Sequence, residues 1–429
     1  MVYKQIGLVP QGMLAVLMVV LAGGCSTNGD AKSDGSAAEG TAPTWHEDVR
    51  PIVESSCVSC HTADGVGNFS LETYADVVLV KDQVADAVLD RRMPPWKAID
   101  GCADYRDDIS LSEEEIAMVV EWVDGGVVEG NVDVSRGGSP PETIGLDRVD
   151  LSVSLPLPYE VNTDIPDDYR CFPVEWPVEE DTFVTGYVVS PDRADLVHHL
   201  IAYIIPGGYA ADLAALEAED GRPGYECFGG PGPINQSDAQ WLGAWAPGAV
   251  QGPLPNGLGL KMEAGSMLVL QMHYNAASGA TGSDQTSIDF MLETEVDSVG
   301  WIQPFTNIEW VFGGGMDIPA NSVGTTHSYE TSVPRQLTFH TANLHMHTQG
   351  VAAQMSVERS DGTEDCLLEI DDWDFDWQRT YVFDEPKVIE QGDKWSIECT
   401  WDNPTDQDMS WGEGTGDEMC LGTVMVSLD

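Results

Sequence analysis

The sequence predicts a multidomain fold in which a small all-α domain is followed by two all-β sandwich domains. Three observations carry this. The chain has 429 residues, more than one ordinary core organises. Helical apolar spacing with capping signals is confined to residues 43–128. From residue 148 onward the pattern becomes short apolar runs punctuated by Gly, Pro, Asn and Asp, over a stretch large enough for two sandwiches.

The elements follow in chain order. An apolar run from Met13 to Ala22, too short to span a bilayer, makes residues 1–24 a secretory signal peptide. The run ends in LAGGC, which resembles a bacterial lipoprotein cleavage box and makes Cys25 the residue to be lipidated; Leu21 stands four residues before it, where the usual box has three. Residues 25–42 are small and polar, a flexible tether. In the helical region (43–128) Pro51 suits a first turn. Ser112 and Glu115 have capping-box spacing before an apolar stripe of Ile116, Val119, Val120 and Val123, and Gly125 stops that helix. A linker, 129–147, contains SRGGSPPE. The β region divides into 148–290 and 291–429, with TFVTGYVVS, HHLIAYIIP, MLVLQMHYN, TSIDFML, WDFDWQRTYVF and KWSIECTW as strands.

Charge narrows the partners. With 19 Lys and Arg against 72 Asp and Glu, the net charge of -53 excludes a nucleic-acid partner, whose affinity comes from basic side chains neutralising phosphate. It describes a solvated acidic surface. The export signal places the mature chain outside the cytoplasm, in a bacterial periplasm or at the outer membrane or cell surface, where disulfides form. The membrane is met only through the N-terminal lipid anchor.

Cys57-Val-Ser-Cys60-His61 is a C-x-x-C-H attachment site for one covalent c-type haem, with thioether bonds from Cys57 and Cys60 and His61 as axial ligand. The segment RRMPPW offers Met93 as the second axial ligand and resembles the distal-ligand segment of small cytochrome c domains. A thioether opposite imidazole suits electron transfer rather than oxygen activation.

Seven of the nine histidines fall after residue 190. His198 and His199 are adjacent, His273 lies in LQMHY, and His345 and His347 form an H-x-H pair whose imidazoles share one face of a strand. His340 has the opposite parity and is left out. Such clustering points to metal, and imidazole suits zinc, copper, iron or nickel. No H-E-x-x-H or H-x-E signature supports catalytic zinc, and no carboxylate at H-x-D spacing supports a non-haem iron triad. Copper fits three imidazoles at one place and two imidazoles with a thioether at another. On a regular strand His198 and His199 diverge, so a bend or different ring nitrogens must reconcile them.

HHLIAYIIP, LQMHY, HMHTQG and GDEMC, in this order, resemble the copper type II, ascorbate-dependent monooxygenases, whose members include peptidylglycine α-hydroxylating and dopamine β-monooxygenase. The resemblance implies two jelly-roll-like copper domains and two coppers per chain. It assigns His198, His199 and His273 to an electron-storing site, and His345, His347 and Met419 to the catalytic site where O2 binds. It implies disulfides Cys171–Cys227 and Cys399–Cys420, and leaves Cys102 and Cys366 either paired across domains or free. The peptide hydroxylase's carboxylate anchors correspond to Asn343 and Thr423 here, so those anchors are missing.

Together these readings describe an exported copper monooxygenase that hydroxylates a C–H bond of a small organic substrate with O2. The reductant is ascorbate-like or an extracytoplasmic redox protein. The fused haem relays electrons to the His198/His199/His273 copper from the end of a flexible linker. The alternative is a non-catalytic electron-transfer or copper-binding protein on the same scaffold.

Overall fold

The computed structural model describes residues 42–428, except 64–66, 68, 135–144, 236, 247–248, 250, 256, 276–278 and 415. The signal peptide and Cys25, with all of the tether but Ala42, lie outside the described residues, as does most of the linker.

The chain is mostly β-sheet, with a helical unit at residues 45–124. Helices α1 (Arg50–Ser56), α2 (Tyr74–Leu79), α3 (Lys81–Leu89) and α4 (Glu113–Asp124) surround a core of Trp45, Val49, Val53, Val77, Val119 and Trp122. Pro51 sits in the first turn of α1. The capping box at α4 forms as its spacing predicts, with Glu115 N–H donating to Ser112 Oγ at 3.3 Å and Ser112 N–H to the Glu115 carboxylate at 2.9 Å. Gly125 caps the helix end. Trp122, which the predicted stripe omitted, is the most buried residue of that face because its indole also donates to Val128 O at 2.9 Å.

An eight-stranded sheet forms the backbone of the β region. Its order is Leu151–Ser154, Ser287–Glu293, Thr182–Ser190, Leu258–Met262, Ser298–Phe305, Leu421–Ser427, Leu337–His345, Tyr381–Ile389. One half is covered by a five-stranded sheet containing Asp167–Glu175, Met267–Asn275 and Val197–Ile205, closing a core around Phe172, Leu200, Leu260, Leu270 and Phe290. The other half is covered by a four-stranded sheet containing Gly350–Glu358 and Lys394–Asn403, closing a second core around Phe339, Leu344, Met355, Ile397 and Val424. These are two sandwiches, but they share one sheet. Ser298–Phe305 joins them, pairing parallel with Leu258–Met262 and antiparallel with Leu421–Ser427.

WDFDWQRTYVF is not one strand. Only Tyr381 onward is β, and Asp371–Thr380 is an irregular segment in which Asp374 accepts its own chain's Asp376 N–H at 3.1 Å. Its acidic residues are tied outward by Lys97, which lies 2.7 Å from Asp372 and 3.9 Å from Asp374.

The helical unit does not hang on a flexible linker alone. The connection from α3 to α4 leaves the helices and lies on the second sandwich. Ile99 N–H donates to Glu369 O at 3.0 Å, Arg106 N–H to Val382 O at 2.8 Å, and Tyr105 Oη to Leu367 O at 2.8 Å. Cys102 is bonded to Cys366, which resolves the pair the sequence left open. This bond spans 264 residues of sequence, and closing so long a loop is worth on the order of 5 kcal/mol in the chain-entropy description. Cys102→Ser is therefore expected to lower the thermal midpoint in calorimetry; an unchanged midpoint would refute it.

Candidate active site

Strand Val197–Ile205 lies beside Met267–Asn275, with His199 opposite His273. The pairing register shifts between Val197 and His199, so a bulge at His198 turns its ring to the same side as that of His199. The bend, rather than different nitrogens, reconciles the adjacent pair. His198 Nδ1 is 3.3 Å from His199 Nδ1, and His273 Nδ1 is 3.4 Å from it. Two imidazole nitrogens, each about 2.0 Å from one ion at a tetrahedral angle, lie about 3.3 Å apart. The three rings thus form a cradle that fits one copper. Among the described residues, theirs is the one cluster of three or more His, Cys, Asp or Glu with converging ligand atoms. Asp167 accepts from His273 Nε2 at 2.9 Å, leaving the Nδ1 lone pair free, and Tyr169 stacks on the same ring at 4.1 Å.

His345 ends strand Leu337–His345, and His347 lies in the turn beyond it, so the pair is not on one strand as its spacing predicts. Their rings still come within 5.2 Å. Gln378 Oε1 holds His345 Nδ1, and Asp417 O accepts from His347 Nδ1 at 3.0 Å, so both rings keep Nε2 free. Met419 precedes strand Leu421–Ser427, whose Leu421 is opposite His345. Met419 lines the same cavity as His345 and His347, and a thioether with two Nε2 atoms would make a softer donor set than the first, suited to Cu(I). Cys420 is bonded to Cys399 and Cys171 to Cys227, as the resemblance implies, and the first bond anchors the chain directly beside Met419. His340 is buried away, its Nε2 2.9 Å from Ser427 Oγ.

The two sets face each other across the sandwich boundary. The His199 and His345 rings are 6.5 Å apart, and Phe375 stacks on His198 at 4.9 Å while its edge meets His347 at 6.2 Å. Burial, helped by neighbouring imidazoles, pushes His198 down to about 4 and His345 down to about 3. Burial also takes His347 down to about 4, while its bond to the Asp417 carbonyl opposes the fall. At neutral pH these rings are uncharged lone-pair donors, as ligands must be. A cavity of about 860 Å³ is lined by His198, His199, His345, His347, Met419, Tyr187, Trp241, Trp245 and Trp301. Asn343 and Thr423 are cross-strand partners in its wall. Arg335 and Glu413 are its basic and acidic side chains, Arg335 lying 5.8 Å over the Trp301 ring.

In the helical unit, Cys57 and Cys60 follow α1 as free thiols. Burial pushes Cys57 up to about 12, the opposite of what a redox-active C-x-x-C needs. His61 Nδ1 donates to Phe69 O at 3.1 Å, which leaves Nε2 for an axial bond. A side chain at Gly67 would meet His61 Nδ1 at 2.3 Å, so Gly67 itself packs closely against the ring. These features fit haem attachment. Met93 follows α3, half-buried, with its N–H bonded to Ala87 O at 3.2 Å.

Sequence reasoning missed Asp167, Gln378 and Glu418. Glu418 stands in the GDEMC motif, but burial below 1% exposure and its four N–H donors are visible only in the fold. Nothing local marks Asp167 or Gln378, which approach the rings from other strands and loops.

Comparison with known proteins gives the following. The family model of the copper type II ascorbate-dependent monooxygenase C-terminal domain matches residues 314–426. DBH-like monooxygenase protein 1 of Homo sapiens is 23% identical over 305 residues, covering 64% of this chain and 48% of that protein. The chain thus spans about half the length of the curated relative it matches. Among solved structures, recombinant N-glycanase F is 10% identical with a TM-score of 0.31, covering 65% of this chain and 96% of that one. A structure of PNGF-II is 10% identical with a TM-score of 0.28, covering 65% of each chain.

Proposed function

We propose that the chain is a copper-dependent monooxygenase that hydroxylates a C–H bond of a small organic substrate with O2, and that a c-type haem in the helical unit is its electron relay. The observation that carries this is the cavity, which is lined at once by His198 and His199 of the first set and by His345, His347 and Met419. A substrate needs such a space; an electron carrier does not, and its volume is that of a small-molecule site. The electron-carrier alternative has no observation of its own in its favour.

Copper held at the two sets would supply one-electron redox chemistry and activation of O2. The chain's own residues do the rest. Gln378 and the Asp417 carbonyl aim two Nε2 atoms into the cavity, and Asp167 turns His273 Nδ1 towards His199 behind the opposite wall. Phe375 contacts a ring of each set, His198 and His347. The indole rings of Trp241, Trp245 and Trp301 give a substrate apolar surface to pack on in the same cavity as Met419.

Mature protein is expected to hold two coppers and one covalent haem, and to consume oxygen with a hydroxylatable substrate. Metal analysis and a haem difference spectrum check the first, and an oxygen electrode with product mass spectrometry the second. One tightly held zinc at His345 and His347 with no copper uptake would refute the assignment.

The lining also bears on substrate. Asn343 stands where an anion anchor would be needed, and its amide donates to Arg379 O at 2.9 Å instead. The acidic surface repels anions at long range. A C-terminal glycine-extended peptide is therefore expected to be a poor ligand compared with small neutral or cationic molecules. Efficient α-hydroxylation of such a peptide would contradict this.

A further inference from the structure

Segment Asp371–Thr380 touches the helical unit on one side and both histidine sets on the other. On the helical side, Lys97 holds Asp372, and the Trp96 ring stands edge-on to Tyr381 at 5.0 Å. The Arg379 guanidinium lies 4.9 Å over the Trp96 ring and donates to Asp107 O at 3.3 Å. Trp96 itself is three residues from Met93. On the histidine side, Trp373 Nε1 donates to His347 O at 3.1 Å, Phe375 stacks on His198, and Gln378 bonds His345 Nδ1.

We infer that this segment is the electron path, and that electrons enter the copper sites at the His345/His347/Met419 set rather than at His198/His199/His273. The inference rests on the proposed function. From Trp96, ring contact leads to Arg379, a peptide bond to Gln378, and a hydrogen bond to His345. Electron tunnelling decays less steeply through packed and bonded atoms than across solvent, and the route onward to His198, from Gln378 Nε2 to Phe375 O at 2.8 Å and then through the Phe375 ring, is longer than the single hydrogen bond to His345. The Cys102–Cys366 bond and the Ile99 and Arg106 backbone bonds hold the two ends of this path at fixed separation. In each transfer one Fe(II) becomes Fe(III) and one Cu(II) becomes Cu(I).

Trp96 and Arg379 are positioning residues, and the test reads haem oxidation rather than product. Holoprotein with oxidised copper is kept anaerobic, its haem is reduced by a light flash, and haem absorbance is followed alongside the freeze-quenched Cu(II) signal. His273→Ala, which empties the three-histidine site, should leave haem oxidation near its normal rate. His347→Ala should slow it by an order of magnitude. Trp96→Leu should slow it similarly with an unchanged haem spectrum, and Trp96→Phe should restore much of the rate. Arg379→Met serves as a second interruption should Trp96→Leu fold poorly. Loss of rate in His273→Ala with retention in His347→Ala would overturn the entry point. Unchanged rates in Trp96→Leu and Arg379→Met would overturn the path. Protein that takes up no haem or no copper, which absorbance and metal analysis show before any flash, would instead remove the proposed function and the path with it.

Discussion

Met419→Ile is expected to abolish hydroxylation while leaving one copper per chain bound. Met419 is 8% exposed at the wall of the cavity that His345 and His347 also line, and in the proposed site its thioether is the soft donor beside their Nε2 atoms. A thioether favours Cu(I), so its loss weakens the reduced site most. Isoleucine has similar volume and no donor atom, so core packing suffers little and destabilisation should stay below about 1.5 kcal/mol. The three-histidine cradle is built on different strands and should keep its metal. Copper titration in the reduced state, with hydroxylation measured in parallel, checks this. Retention of wild-type turnover, or loss of both coppers together, would contradict the separate assignment of the two sets.

How much of this was legible in the sequence differs from place to place. The α4 capping box and the strand at Thr182–Ser190 are local signals, and each is found where its residues put it. The adjacent histidines were harder. Alternation says their rings diverge, and only the pairing register across to Met267–Asn275 reveals the bulge that brings them together. Trp373, Phe375 and Trp377 read as strand because aromatic residues favour β structure. The fold instead spends Phe375 on His198 and Trp373 on the His347 carbonyl, and non-local contacts outweigh propensity. The docking of the helical unit was least legible. A linker rich in Gly, Ser and Pro suggests loose tethering, whereas the contact is made by the α3–α4 connection through a disulfide whose partners are far apart in sequence. No periodicity reports such a pairing.

Glu418→Ala is expected to be the most damaging substitution of a residue that need not touch a metal. Glu418 is fully buried, between Met419 and the turn that carries His347. Its carboxylate accepts from His347 N–H at 3.0 Å, Gln349 N–H at 2.6 Å, Trp401 Nε1 at 2.8 Å and Met419 N–H at 3.4 Å. Burial raises its pKa, and these donors work against that rise. Removing the carboxylate strands several buried N–H groups at once. Each unsatisfied donor costs roughly 1–3 kcal/mol, and after partial relaxation the sum should be about 3–5 kcal/mol. Two of the four donors belong to the backbone of His347 and Met419, so the same change releases both from their positions. Glu418→Ala should therefore lower the thermal midpoint and also weaken copper at the His345/His347/Met419 set while the three-histidine set stays loaded. Glu418→Gln separates the two effects, because the amide keeps one acceptor oxygen and the side-chain volume. It should recover much of the stability but only part of the copper affinity. Calorimetry together with site-resolved copper titration decides the matter. If Glu418→Ala lowers stability and leaves copper affinity at both sets unchanged, Glu418 holds the fold but does not position His347 and Met419.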